Sequence, residues 1–358
     1  MHNYPATANH IRLLQPRDLE VVHQLGVHAL HTAPSQPSLS VSWLPSSLRA
    51  LVGDRHRTYV LESGTEIVGW VRVSPINSQR TAWQIEAIAI DPARDTSSCG
   101  TQLIRHCLEI CYEARNWLVQ VDVTQKEAIA LYRHNGFQPL AHLTDWEFSS
   151  ALLLELAQRS PDLPNLLPVS NSDATLLYQL DTAAMPPQLR QVYDLSVQDF
   201  RTNSLEKLVG YGYHLLMHLQ EVSGYVYEPQ RKAAIGYFDL VIDRNPHHEP
   251  IHHCQLTVHP AYTWLYPELM AQVANATVSH CGTGNLGKLR LTSADYQPER
   301  EAYLEQMQAE RLAHSLLMAR SVWHKVRETR PVLDALQLSR MLAGLQPAHK
   351  PVPGRIDS

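Results

Sequence analysis

No run of about 18 apolar residues occurs anywhere in the chain, so no membrane-spanning helix is expected. The opening residues, Met1-His2-Asn3-Tyr4-Pro5, hold neither a basic region nor an apolar stretch, and no secretory signal is expected there. Positive charge is not in excess. The 30 Lys and Arg stand against 35 Asp and Glu, a formal net charge of −5, which argues against a surface that coats nucleic acid. Cysteines are few and odd in number (Cys99, Cys107, Cys111, Cys254 and Cys281), and none falls in a CxxC pair. A disulfide framework is therefore not expected, and a reducing, cytoplasmic compartment fits best. With these classes set aside, 44% hydrophobic and 18% charged residues over 358 positions give the composition of a folded, water-soluble protein of about two domains.

The chain repeats itself once. Thr58-Tyr59-Val60-Leu61-Glu62, a turn at Ser63-Gly64-Thr65 and Ile67-Val68-Gly69-Trp70-Val71 form a hairpin signal. Gly224-Tyr225-Val226-Tyr227-Glu228, a turn at 229–232 and Ala234-Ile235-Gly236-Tyr237-Phe238 form a second. The next strands end alike, in Ile88-Ala89-Ile90-Asp91-Pro92 and in Leu256-Thr257-Val258-His259-Pro260. Tyr59 and Tyr225, Gly69 and Gly236, and Pro92 and Pro260 lie 166, 167 and 168 residues apart. Each copy opens with a short apolar strand followed by an aspartate (Asp18, Asp173) at the head of an apolar-periodic helix.

The organisation read from this is a first domain at 1–150, a linker at 151–165, a second domain at 166–328, and a C-terminal helix with a proline-rich disordered tail at 329–358. The first domain reads as a strand (11–15), a helix (18–30), a loop and short helix to about 52, and strands at 58–62, 66–75 and 81–91. A helix (99–114), a strand (117–123), a helix (126–135) and a strand near 141–148 complete it. Antiparallel strands followed by a helical crossover give an α/β (α+β) class: two tandem mixed-sheet domains with helices on both faces.

The element order, with four sequence features, resembles the GNAT family of acyl-CoA-dependent N-acyltransferases. The features are the hairpin Ile67-Val68-Gly69-Trp70; Trp83-Gln84-Ile85-Glu86-Ala87-Ile88-Ala89-Ile90-Asp91-Pro92, a strand ending in Pro; Cys99-Gly100-Thr101-Gln102, the end of a phosphate loop and start of its helix; and Ala128-Ile129-Ala130-Leu131-Tyr132 with Gly136-Phe137. The resemblance implies a domain that holds acetyl-CoA as cosubstrate and transfers its acetyl group to a primary amine of a small molecule or peptide.

On that resemblance, the backbone of Ile88, Ala89 and Ile90 pairs with the pantetheine amides as an added strand would. Ser97, Ser98, Cys99, Gly100 and Thr101 hold the pyrophosphate at a helix N-terminus, where free N–H groups and the helix dipole favour an anion. Gln125 stands where the family often has an Asn that contacts the pantetheine arm. Tyr132 falls at the place of a general acid for the thiolate. Glu86 is the candidate base, acting directly or through water if burial raises its carboxyl; an interstrand ion pair is the other reading of the same residue.

The loop departs from the family pattern. Where the family has Arg/Gln-x-x-Gly-x-Gly/Ala, this chain reads Asp95-Thr96-Ser97-Ser98-Cys99-Gly100. The first glycine is Ser98, and Asp95 brings a negative charge to the phosphate end. A non-catalytic scaffold that lost its cofactor, or a CoA sensor, is the rival reading.

The second domain reads as a degenerate copy. Ala261-Tyr262-Thr263-Trp264-Leu265-Tyr266 has no glycine where phosphate would sit, and Glu305 falls opposite Tyr132 when Leu304 is set against Leu131. His247-His248-Glu249 with His252-His253-Cys254 has metal-ligand residue types, but on a hairpin whose neighbours face opposite ways it reads as solvated histidines, and no metal is expected. A protein partner held by the second domain or the C-terminal helix is the remaining expectation.

Overall fold

Strand alternation and helical periodicity are realised in the computed structural model, which describes residues 9–27, 29–32, 56–201, 218–245, 249–282 and 286–322. The first half runs β1 (Asn9–Leu13), α1 (Leu19–Gly26), β2 (Ala29–Thr32), β3 (Arg57–Ser63), β4 (Glu66–Pro75), β5 (Ala82–Ile90), α2 (Thr96–Ile110), β6 (Asn116–Asp122), α3 (Lys126–His134) and β7 (Gln138–Phe148). Helix α4 (Ser150–Leu156) leads into β8 (Leu166–Pro168), α5 (Ala174–Ala184), α6 (Pro187–Tyr193), β9 (Leu219–Glu228), β10 (Ala233–Asp243), β11 (Ile251–Val258), α7 (Leu265–Cys281), β12 (Lys288–Ala294), α8 (Pro298–Gln306) and β13 (Glu310–Ser321). The expected short helix before residue 52 and the expected C-terminal helix lie outside the described residues.

Twelve strands form one continuous mixed sheet in the order β1-β3-β4-β5-β6-β13-β7-β12-β11-β10-β9-β8, with β2 on the side of β5. The two halves exchange places at the centre. β13, the last strand of the second half, pairs antiparallel with β6 from Ser315 against Asp122 to Ser321 against Asn116. β7, the last strand of the first half, pairs with β12 from Phe148 against Leu289 to Leu143 against Ala294. The two exchanged strands pair with each other.

Helices cover both faces of the sheet. α2 and α3 close a core around Trp83, Ile85, Ile88, Leu103, Trp117 and Tyr132, into which Leu316 and Met318 of β13 insert. α1 packs on the opposite face, over Val60, Trp70, Ala87 and Ala89. Helix α6 of the second half seats Leu189 and Val192 on that same face beside Ala82, Leu118 and Leu317. Its last carbonyls are capped by the first half: Asn77 Nδ2 donates to the carbonyls of Tyr193 (3.2 Å) and Asp194 (2.9 Å), and Asn116 Nδ2 to that of Gln191 (3.0 Å). These bonds satisfy groups that a helix end leaves without partners. Across the seam between the halves, Glu147 of β7 meets Lys288 Nζ at 2.7 Å and Arg290 Nε at 2.9 Å, both from β12.

The helix expected over 18–30 stops at Gly26, and the following residues form β2 instead. The helix expected from residue 99 begins at Thr96, because the Asp95 carboxylate caps it by accepting from the Ser97 N–H at 3.1 Å. No described helix is long and apolar enough to cross a membrane.

Candidate active-site cleft

The sheet opens in the first half between β5 and β6. These strands pair in parallel only from Ala82 against Asn116 to Ile85 against Val119. The next residue, Glu86, is the extra residue of a bulge in the pairing with β4, where Arg72 faces Ala87 but Val73 faces Ile85. A bulge adds a residue on one side only and turns the strand. Beyond it β5 diverges from β6, and the edge of β5 from Ala87 onward lacks β6 as a partner.

Glu86 sits at the head of this opening, 8% exposed. Its Oε1 accepts from Ser74 Oγ at 2.6 Å and lies 2.8 Å from His56 Nδ1; Arg72 Nε lies 3.0 Å from Oε2. The two nitrogens make ion-pair contacts whose N–H directions fall off the hydrogen-bond line. Burial alone would push the Glu86 carboxyl upward. The hydrogen bond from Ser74, the close contact with His56 and the charges of Arg72 and of His56 when protonated outweigh it and hold the group below its ordinary 4.5. The expectation of a carboxylate raised by burial is therefore corrected: Glu86 is an ion-paired anion. His56, Arg72 and Ser74 were missed in the sequence, since each stands alone there and only the register of β3, β4 and β5 brings them together.

A depressed carboxyl stabilises the fold above its unfolded value and loses that contribution as pH falls through the folded one. Unfolding free energy measured between about pH 7 and pH 3 is therefore expected to fall more steeply in the parent protein than in Glu86→Gln, the difference opening below 4.5. Parallel profiles would show that these partners do not hold the carboxylate.

The model of the acetyltransferase (GNAT) family matches residues 26–137, the span that builds this splayed sheet and its covering helices. Residues 26–137 are a GNAT domain. Two solved structures share the fold over most of the chain. A tandem GNAT protein from the clavulanic acid biosynthesis pathway, solved without AcCoA, is 14% identical, covers 88% of this chain and 98% of its own, and has a TM-score of 0.54. A GCN5-related N-acetyltransferase from Sphaerobacter thermophilus is 11% identical, covers 87% and 95%, and has a TM-score of 0.51. No curated protein matches the sequence.

Within the GNAT domain, the chain itself occupies the open edge of β5. Strand β2 pairs antiparallel with it, Ala29 against Ala89, His31 against Ile88 and Thr32 against Ala87. Leu30 packs on the core that contains Tyr132, and β2 also touches β6 and α3. The edge assigned to the pantetheine amides at Ile88, Ala89 and Ile90 is thus bonded, at the first two positions, to the protein's own backbone. Unpaired backbone groups at such an edge are costly to bury, which is why a four-residue segment with little strand signal forms a strand here.

The phosphate end is also altered. Asp95 caps α2, and Ser97 and Ser98 are exposed on its first turn. Cys99 and Gly100 point inward instead. A Cβ on Gly100 would stand 2.6 Å from Leu131 Cδ2, so a larger residue here needs the Leu131 side chain to shift in the packing of α2 on α3. Thr101 is likewise engaged, accepting from Asn135 Nδ2 at 3.1 Å. Gln125 precedes α3 as an exposed residue with no capping bond. Tyr132 is fully buried, with its ring edge-on to Phe137 at 5.4 Å. Burial raises its phenol well above the ordinary 10, so it stays protonated.

The second half repeats the opening and fills it differently. β11 and β12 pair from Ile251 against Lys288 to His253 against Arg290 and then part. Arg300 of α8, 5% exposed, enters the gap and donates to the carbonyl of Leu256 at 3.1 Å. Leu256 is the counterpart of Ile88, so a guanidinium stands where β2 stands in the first half.

The expected alignment of Glu305 with Tyr132 is corrected by the helix ends. Phe137 N–H bonds the Tyr132 carbonyl at 3.0 Å, and Ala309 N–H bonds the Leu304 carbonyl at 3.1 Å. Gly136 and Gln308 take the matching left-handed positions, at φ +81° and +56°. Leu304 is therefore the counterpart of Tyr132, and the acid position carries no phenol. His252 is fully buried and committed structurally: Nδ1 accepts from the Asp243 N–H at 3.1 Å and Nε2 meets the Leu286 carbonyl at 2.5 Å.

Proposed function

We propose that the GNAT domain is an acyl-CoA-dependent N-acyltransferase that moves an acetyl group to the primary amine of a small molecule or peptide, and that the second half is a degenerate copy shaping the acceptor side. The observation that supports this most is the opening of β5 from β6 at the Glu86 bulge, with the His56–Glu86–Arg72–Ser74 set at its head. In this reading the chain divides as 1–150 and 166–328, and the second half contributes α6 to the face that carries Glu86.

The residues fit the cosubstrate in part. The β5 edge accepts an extended backbone, as β2 demonstrates, so it suits a pantetheine arm once β2 leaves. The hydroxyls of Ser97 and Ser98 suit phosphate oxygens, while Asp95 opposes them. Acetyl-CoA would supply an activated thioester carbonyl. His56, its Nδ1 turned to Glu86, keeps Nε2 to take the proton from the ammonium of the acceptor, and Glu86 stabilises the imidazolium that results. Glu86 itself is a poor acceptor for that proton, because Ser74, His56 and Arg72 lower its proton affinity. Tyr132, protonated, provides the proton for the departing sulfur.

Two observations favour a second reading, a non-catalytic protein that kept the fold and filled its clefts: β2 on β5 and Arg300 on Leu256. Calorimetric titration with acetyl-CoA separates the readings. Micromolar binding at one site per chain, with turnover lost and binding kept in Tyr132→Phe, supports the enzyme. No binding at millimolar ligand supports the filled scaffold and directs attention to protein partners.

A further inference from the structure

A pocket of about 540 Å³ lies at the seam of the two halves, away from the cleft. Its polar wall holds Arg105 of α2, His134 at the end of α3 and Arg320 of β13; its apolar wall holds Leu140 and Val192. Arg320 pairs with Trp117, near the start of β6, whereas the cleft opens beyond Val119 towards the far end. Arg105 lies nine residues after Thr96, about 13 Å down α2 from the capped N-terminus at a rise of about 1.5 Å per residue. The pocket is therefore separate from the edge of β5 and from the first turn of α2.

Its charges are unbalanced. No carboxylate lines the pocket, and among the described residues neither arginine forms an ion pair. Arg320 is held in place rather than neutralised: one guanidinium nitrogen donates to the Asn135 carbonyl, and Nε lies 3.6 Å from where a Cβ on Gly136 would stand. Burial and the neighbouring charge of Arg105 both lower its proton affinity. Two guanidinium groups turned to one cavity repel each other unless an anion lies between them, and a planar fork of donors matches carboxylate and phosphate oxygens.

We propose that this pocket is a binding site for a small organic anion, with its phosphate or carboxylate group on Arg105, Arg320 and His134 and its apolar body on Leu140 and Val192. Because Val192 and Arg320 come from the second half and Arg105 and His134 from the first, such a ligand ties the halves together. The volume suits a molecule larger than a bare ion.

The test is calorimetric titration of the full-length protein with phenyl phosphate and, separately, with benzoate, and with benzyl alcohol as the neutral probe. One saturable site per chain for either anion and none for the alcohol is expected; the anion that binds identifies the group. Arg105→Gln, at an exposed position where the fold is not at stake, is expected to weaken binding at least tenfold, and Arg320→Lys to weaken it as well. Acetyl-CoA titration of Arg105→Gln should match the parent, so this result stands or falls apart from the proposed function. Absence of saturable binding of both anions, or equal affinity in the parent and both variants, overturns the proposal.

Discussion

A chain that stops at residue 150 is expected not to fold. The first half in isolation retains β1 to β7 but loses β13, which lies hydrogen-bonded between β6 and β7. Without it Leu316, Leu317, Met318 and Ala319, each at most 6% exposed, no longer fill their places on the two faces of the sheet. Burial of one such large side chain contributes about 1.5–3 kcal/mol, and three of these four are large. The facing residues Leu118 and Val119 would be uncovered at the same time, as would the ladder edges of β6 and β7. A domain is stable by only about 5–15 kcal/mol in total, so the loss is of the same size as the whole. The fragment 1–150 is expected in the insoluble fraction, without the near-ultraviolet circular dichroism of packed Trp83 and Trp117. Co-expression with 151–358 is expected to restore a soluble complex, because the exchanged strands then find their slots. A soluble, cooperatively unfolding fragment would show that the exchange does not stabilise the first half.

That exchange is invisible to sequence periodicity for a physical reason. β7 and β13 carry the same alternation whichever half they pair with, and alternation fixes which face is buried, not which neighbour supplies the hydrogen bonds. Local signals did place most elements: β4 at 66–75 and β5 within 81–91 follow their alternation, and both aspartates stand at the helix heads, though each carboxylate accepts from the backbone N–H of Gln15 or Ser170 before it and does not cap the helix that follows. The candidate site was partly legible. Glu86 and Tyr132 stand out as residue types at telling places, but their state depends on neighbours far away in the chain. His56 is 30 residues from Glu86, and the bulge that turns the carboxylate towards it has no composition signal. Gly100 shows that one residue can carry two signals: a glycine at a helix start suggests phosphate, and the close approach of Leu131 and Ile90 favours a glycine at the same place.

Both openings of the sheet are occupied from within, by backbone in one half and by a side chain in the other. These two solutions differ in reversibility. Arg300 is anchored in a packed helix at the carbonyl of Leu256 and can leave only if α8 moves. β2 is four residues long, and its registry with β5 is broken at Leu30. Its hold rests on a few ladder bonds and on Leu30, the kind of local element that opens far more easily than the whole fold.

Locking β2 on β5 is therefore expected to abolish acetyl-CoA binding. Ala29 and Ala89 face each other directly in the antiparallel register, and side chains so opposed have Cβ atoms about 4.5–5.5 Å apart, near the range that a disulfide spans. The double variant Ala29→Cys/Ala89→Cys, oxidised, fixes the strand; reduced, it leaves the strand as free as in the parent. If the cosubstrate needs the β5 edge, its apparent dissociation constant equals the intrinsic one divided by the fraction of molecules with β2 displaced. That fraction falls towards zero on oxidation and returns on reduction, so titration should give no heat in the oxidised sample and the parental isotherm after reductant. Leu30→Gly shifts the same equilibrium the other way, and a tighter apparent affinity is expected from it. Equal affinity in the oxidised, reduced and Leu30→Gly proteins would mean that acetyl-CoA binds without the β5 edge, and the pantetheine assignment at Ile88 and Ala89 would fall with it.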